Sequence, residues 1–188
     1  MALSLKEERK FEKAIISLEK AIALKNNYAE AYYNLGNVYS LLGELEKSIN
    51  MFTRAIDIKS DYFDAYNNLG AVYNLKKDYD RAYQNFQKAI SLNPNNADAF
   101  NNLGTSARNI NKEDEAIAHY NKAISIDPKL IIAYSNLCEL FEKFNNLNEV
   151  ENILKRLKNL SSINLVKLRF IKLNYVQERK ILIDLSYY

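Results

Sequence analysis

The sequence predicts an all-α protein, a right-handed solenoid of antiparallel helix pairs, and three observations carry that expectation. One segment is written four times at a spacing of 34 residues: Ala29-Glu-Ala-Tyr-Tyr-Asn-Leu-Gly36, Phe63-Asp-Ala-Tyr-Asn-Asn-Leu-Gly70, Ala97-Asp-Ala-Phe-Asn-Asn-Leu-Gly104 and Ile131-Ile-Ala-Tyr-Ser-Asn-Leu-Cys138. A unit of that size cannot close its own core, so it buries its apolar face on its neighbours. Within one copy, Tyr66, Leu69, Gly70 and Tyr73 fall at i, i+3, i+4 and i+7, the spacing of one helix face. Finally, two Pro and four Gly in 188 residues are too few chain breakers for a turn-rich β fold.

The elements follow in order, within a single domain of residues 1–188. Residues 1–28 form a partial unit: Phe11, Ala14, Leu18, Ala21 and Leu24 sit where a second helix carries its apolar residues, and the unit's first helix is mostly missing. Four full units come next, at 29–62, 63–96, 97–130 and 131–164. In each, the first helix starts with the repeated segment and reaches Tyr39, Tyr73, Ala107 or Phe141 three residues beyond it. Short polar turns, Gly43-Glu44, Lys77-Asp78, Asn111-Lys112 and Asn145-Asn146, lead to the second helix. That helix repeats a small residue, a large apolar one and Ala: Ser48, Phe52, Ala55; Ala82, Phe86, Ala89; Ala116, Tyr120, Ala123; and, less regularly, Val150, Leu154, Leu157. Asn93-Pro94-Asn95-Asn96 and Asp127-Pro128 end the second helices of two units, as Pro just past a helix does. Gly36, Gly70 and Gly104 recur at one register although Gly costs a helix interior about 1 kcal/mol, which argues for a close approach between the paired helices. Cys138 stands in for them as a small apolar residue.

Residues 165–188 read as a capping helix and tail. Leu168 and Ile171 continue the apolar register, but Lys172 replaces the small residue and Phe170 the Asn. The apolar end, Ile181-Leu-Ile-Asp-Leu-Ser-Tyr-Tyr188, is expected to fold back on the last units, the alternatives being a self-association surface or a cut from a longer protein.

Composition excludes several classes. No run of roughly 18 apolar residues is present to span a membrane, and the early charges of Lys6 to Arg9 do not suit a signal peptide. A single Cys allows no internal disulfide, in keeping with a cytoplasmic protein. The net charge of +3 gathers at the C-terminal end: residues 129–188 hold 10 Lys or Arg against 6 Asp or Glu. Lys155, Arg156, Lys158, Lys167, Arg169, Lys172, Arg179 and Lys180 make a basic stripe, yet no aromatic and basic motif accompanies it. A solvated helix surface is the reading, and nucleic acid is not an expected partner.

No catalytic constellation stands out. The one His, His119, adjoins the core residue Tyr120 and reads as an outward-facing helix residue. Glu113, Asp114 and Glu115 enrich a helix N-terminus in negative charge. No Gly-rich phosphate loop or metal-ligand spacing occurs, so the expectation is a non-enzyme without cofactor or metal.

The aromatic-x-x-Leu-Gly-x-x-Tyr segment, then Ala-x-x-x-Phe, Ala and Pro, resembles the tetratricopeptide repeat, with Tyr or Phe in place of the leading Trp. The resemblance spans residues 29–164 and implies a helical protein-interaction scaffold. Counting the first residue of each unit as position 1, positions 4, 7, 8 and 11 share the core side of the first helix, and positions 2, 6, 9 and 13 the opposite, groove side. Position 6 is Asn34, Asn68, Asn102 and Asn136. Position 2 is Glu30, Asp64, Asp98 and Ile132, position 9 is Asn37, Ala71, Thr105 and Glu139, and the flanking position 5 is Tyr33, Asn67, Asn101 and Ser135.

An amide donates and accepts as a peptide group does, so the Asn column suits an extended backbone, with one rung for about three residues and a grip of roughly nine to ten. It resembles the asparagine ladder of O-linked N-acetylglucosamine transferases. Three function classes follow as expectations: a peptide-binding scaffold first, then the substrate-recognition part of a larger enzyme such as a glycosyltransferase, then a self-assembling oligomerisation module. The chain holds 25 Asn, so simple solvated groove residues account for the column equally well. Tetratricopeptide co-chaperones clamp acidic chaperone tails with Lys, Asn, Asn, Lys and Arg where this chain has Tyr33, Asn37, Asn68, Asp98 and Asn102. Without those cations, acidic tails are not expected ligands. Glu30, Asp64, Asp98, Glu139 and Glu142 outnumber Arg108 and Lys143, so a neutral or basic protein segment is the expected partner.

Overall fold

The computed structural model describes residues 5–158, and the cap and tail expected at 165–188 lie outside them. Every regular element among the described residues is a helix: α1 (Leu5–Leu24), α2 (Ala29–Leu41), α3 (Leu45–Ile58), α4 (Phe63–Leu75), α5 (Tyr79–Leu92), α6 (Ala97–Asn109), α7 (Glu113–Ile126), α8 (Ile131–Lys143) and α9 (Leu147–Lys158). Each helix packs chiefly on the one before and the one after it, with lighter contact between α2 and α4, α4 and α6, and α6 and α8. This is an all-α repeat solenoid, with first helices α2, α4, α6 and α8 and second helices α3, α5, α7 and α9.

The pairing of helices rests on a small residue beneath a buried ring. A Cβ added to Gly36 would stand 2.7 Å from Phe52 Cε1, one on Gly70 2.9 Å from Phe86 Cε1, and one on Gly104 2.8 Å from Tyr120 Cδ1. Those rings are fully buried, so they have nowhere to retreat. In the fourth pair the ring is absent: position 24 is Leu154, and position 8 is the buried Cys138. A smaller partner leaves room for a Cβ and a sulfur, which is why Gly is dispensable there.

Along the stack, the buried Ala82, Phe86, Leu103, Tyr120, Tyr134 and Leu137 belong to one continuous apolar cluster that runs from α5 to α9. Smaller clusters join α2, α3 and α4 through Ala29, Ala55, Tyr62 and Ala65, and through Phe52, Leu69 and Val72. Ser48 is fully buried and donates to the Gly36 carbonyl at 2.8 Å, filling a hydrogen-bond need that Ala82 and Ala116 do not have.

Every turn inside a pair has one geometry. Gly43, Lys77, Asn111 and Asn145 all take positive φ, from 57° to 75°. The next residue's N–H bonds five residues back, Glu44 to Tyr39, Asp78 to Tyr73, Lys112 to Ala107 and Asn146 to Phe141, each at 2.9 Å. This is the Schellman closure, which satisfies carbonyls at the helix end and fixes the reversal into the second helix. The Asp78 carboxylate accepts from the Arg81 N–H, and Asn96 Oδ1 accepts from the Ala99 N–H, capping α5 and α6.

Candidate functional site

The face built by α2, α4, α6 and α8 gathers the residues that the repeat register placed there, but it does not treat them alike. The Asn68 amide donates twice from α4 to α2 of the preceding unit, to Asn37 Oδ1 at 2.8 Å and to the Tyr33 hydroxyl at 3.2 Å. Asn67 Nδ2 donates to Asn68 Oδ1 at 3.4 Å, and its own Oδ1 is buried without a hydrogen-bond partner. Two units on, Asn136 donates to Asn101 Oδ1 at 2.9 Å, and Asn101 is only 6% exposed. By contrast the side chains of Asn34, which is exposed, and Asn102, which is half-buried, make no hydrogen bond among the described residues.

The column is thus two engaged amides alternating with two open ones. The unit before each engaged rung supplies its acceptors. Asn68 follows a unit that offers acceptors at positions 5 and 9, Tyr33 and Asn37, and Asn136 follows one that offers Asn101. Asn102 follows Ala71, which has no side-chain acceptor at position 9, and Asn67 at position 5, whose Oδ1 it does not bond. Position 5 by itself does not separate engaged from open, since Asn136 reaches the Asn101 one unit back while Asn102 leaves the Oδ1 of Asn67 unmet.

A further set of links ties the first helices to one another. Ser106 Oγ donates to Asn74 Oδ1 at 3.0 Å, a contact between α4 and α6 that the column analysis missed because Asn74 and Ser106 lie at positions 12 and 10. Tyr33 packs its ring 5.0 Å from that of Tyr62 and 5.8 Å from that of Phe52, so the flanking position 5 of the first unit serves packing as well as polarity.

Charge on this face is lopsided. Glu30, Asp64 and Asp98 are exposed and belong to no ion pair among the described residues. The cations are spoken for: Arg108 Nη1 sits 3.0 Å from Glu139 Oε2, and Lys143 Nζ sits 3.1 Å from Glu113 Oε1. Burial, followed by Tyr33 and the carboxylates of Glu30 and Asp64, pushes the Tyr62 hydroxyl up to about 12, so it remains a neutral hydrogen-bonding group at any physiological pH.

His119 departs from the outward-facing reading. It is half-buried, its ring 6.1 Å from that of Phe100, and burial lowers its pKa despite the opposing pull of Glu115. The reason is that α7 packs between α6 and α8, so a residue beside Tyr120 cannot clear the first-helix surface entirely. On the same flank Glu115 accepts from the Tyr83 hydroxyl and pairs with Lys112 at 3.1 Å, which together hold its carboxyl below the usual range. Cys138 is buried, and that burial lifts its thiol to about 12, away from any nucleophilic role near neutrality. Among the described residues no three His, Cys, Asp or Glu side chains gather to hold a metal, and no helix is long and apolar enough to cross a membrane. What the face offers is hydrogen bonding and negative charge.

Comparison with known proteins matches residues 29–62, 63–96 and 97–130 to the family described as Tetratricopeptide repeat, and residues 4–43 to that described as TPR repeat. No curated protein matches the chain. Among solved structures, a crystal structure of MamA superposes with a TM-score of 0.74 at 23% identity, covering 94% of this chain and 99% of that one. MamA 41-end from Desulfovibrio magneticus RS-1 gives 0.72 at 19% identity, covering 87% and 86% respectively. Identities this low speak for the fold. Helix pairs recurring every 34 residues, a glycine pressed beneath a buried ring in three of them, and the matched segments agree: the chain belongs to the tetratricopeptide repeat family.

Proposed function

We propose that the face of α2, α4, α6 and α8 binds an extended, neutral-to-basic segment of another protein, and that the chain works as a non-catalytic interaction scaffold. One observation carries this reading: Glu30, Asp64 and Asp98 stand exposed at the same place on three successive first helices, in no ion pair among the described residues. Three aligned carboxylates repel an acidic ligand and favour a basic one. Asn34 and Asn102 supply the unspent amides, each able to donate to and accept from a peptide backbone regardless of side chain. Asn68 and Asn136 hold the platform in shape through their bonds to the preceding helix, and Arg108 is held by Glu139.

The test is binding of a labelled peptide library by the wild type and by Asn34→Ala/Asn102→Ala. Losing two backbone-facing amides is expected to weaken binding about tenfold or more, with helicity unchanged. Tighter capture of an acidic tail than of its Lys-substituted counterpart, or indifference to the double substitution, contradicts the reading.

A further inference from the structure

Three tracks run side by side over the first helices. Position 2 gives the acid track, Glu30, Asp64 and Asp98, and position 6 the amide track with Asn34 and Asn102 open. Position 13 gives a short apolar track: Leu41 is 67% exposed and Leu75 64%. Acid and apolar tracks lie about 16 Å apart, eleven residues at ~1.5 Å each along a helix. In the other direction the spacing is set by direct contact between neighbouring first helices, through Asn68 with Asn37, Ser106 with Asn74 and Asn136 with Asn101. Helices that touch in this way stand about 8–10 Å apart.

That interval discriminates between backbone conformations of the occupant. In a β-strand, residues advance about 3.4 Å and alternate sides, so a side chain over Glu30 leaves the one three residues later turned away from Asp64. A polyproline II segment has three residues per turn and rises about 9.3 Å in that turn, which brings residues i, i+3 and i+6 to the same side at the helix spacing. Its backbone makes no internal hydrogen bonds, leaving its carbonyls and N–H groups for Asn34 and Asn102. The unmet acceptor Asn67 Oδ1 lies in the same amide network and gains from any donor that lets its side chain turn outward.

Resting on the peptide-binding reading above, we propose that the occupant is a polyproline II segment with Lys or Arg at every third residue, its cations over Glu30, Asp64 and Asp98. The residues between them turn a second row of apolar side chains toward Leu41 and Leu75.

Two labelled nine-residue peptides of identical composition, rich in Pro and Leu, distinguish the registers, one with Lys at i, i+3 and i+6 and the other with Lys at i, i+2 and i+4. Anisotropy titration of the full chain is expected to show the first binding about tenfold more tightly at low salt, with the gap closing at high salt. Glu30→Gln/Asp64→Asn/Asp98→Asn is expected to erase the difference while leaving far-UV circular dichroism unchanged, since all three side chains are exposed. Equal affinities for the two peptides, or a preference that survives the triple substitution, overturns the inference. If both peptides bind equally and both weaken in Asn34→Ala/Asn102→Ala, the register idea fails and the scaffold reading stands. If no peptide binds, with or without Lys, both fail.

Discussion

The Asn68 amide donates to Asn37 Oδ1 at 2.8 Å, so a residue of α4 closes on one of α2, 31 positions earlier in the chain. Because the same amide also reaches the Tyr33 hydroxyl, it works as a clasp between two units rather than as an open binding group.

The clasp makes a stability prediction that separates Asn68 from its counterparts. Asn68→Ala strands Asn37 Oδ1 and the Tyr33 hydroxyl on a half-buried surface, and is expected to cost about 1 kcal/mol in chemical denaturation, whereas Asn34→Ala costs nothing measurable. A double-mutant cycle of Asn37→Ala with Asn68→Ala gives the pair's own share, expected at about 0.5–1 kcal/mol. Equal costs for Asn34→Ala and Asn68→Ala contradict the distinction between engaged and open amides.

The contact between Gly70 and Phe86 makes a second prediction. Gly70→Ala gains up to about 1 kcal/mol of helix propensity, but its Cβ would meet Phe86 Cε1 at 2.9 Å and two more ring atoms at 3.0 Å. The ring is fully buried, so overpacking of about 1–3 kcal/mol outweighs the gain and the variant is expected to melt lower. Gly70→Ala/Phe86→Leu imitates the fourth unit, where Cys138 and Leu154 occupy the same two positions, and is expected to recover part of the loss relative to the sum of the single changes. Additive costs would sink the idea that these two positions exchange volume.

The fold was legible because each helix pair repeats its apolar register, and the residues at fixed positions, such as Leu69, Gly70 and Phe86, do the same physical job each time. The face was legible only in part. Position 6 is Asn in all four units, yet Asn68 is spent on Tyr33 and Asn37 while Asn102 is open, with Ala71 where Asn68 finds Asn37 and with the Asn67 Oδ1 left unmet. A single column hides that relationship, since it compares equivalent residues and not the residues that touch. His119 was misread for a similar reason: helix phase put it beside the core, but how deep it sits depends on Phe100, a residue of the preceding helix.

His119 supplies the pH prediction. Its folded pKa lies below the ordinary value of 6.5, with burial the largest cause. Above that ordinary value both folded and unfolded chains carry a neutral imidazole, so the group's contribution to stability is fully present. As pH falls below it, the unfolded chain binds its proton first, and stability is lost until the folded imidazole protonates too. Glu113 and Glu115 have lowered folded pKa values, so the stability they contribute is present above the unfolded carboxylate range and vanishes only as pH falls through their folded values, a loss that begins below the pH at which the unfolded His119 starts to protonate. Denaturation midpoints measured at close pH intervals are therefore expected to show a decline that begins near pH 6.5 and a further one that begins in the carboxylate range. His119→Gln keeps a polar side chain without a titration in this interval, and is expected to flatten the upper decline while leaving the lower one in place. A wild-type midpoint that does not move between about pH 7 and 5, or an unchanged upper decline in His119→Gln, shows that the half-buried ring beside Phe100 is not what responds there.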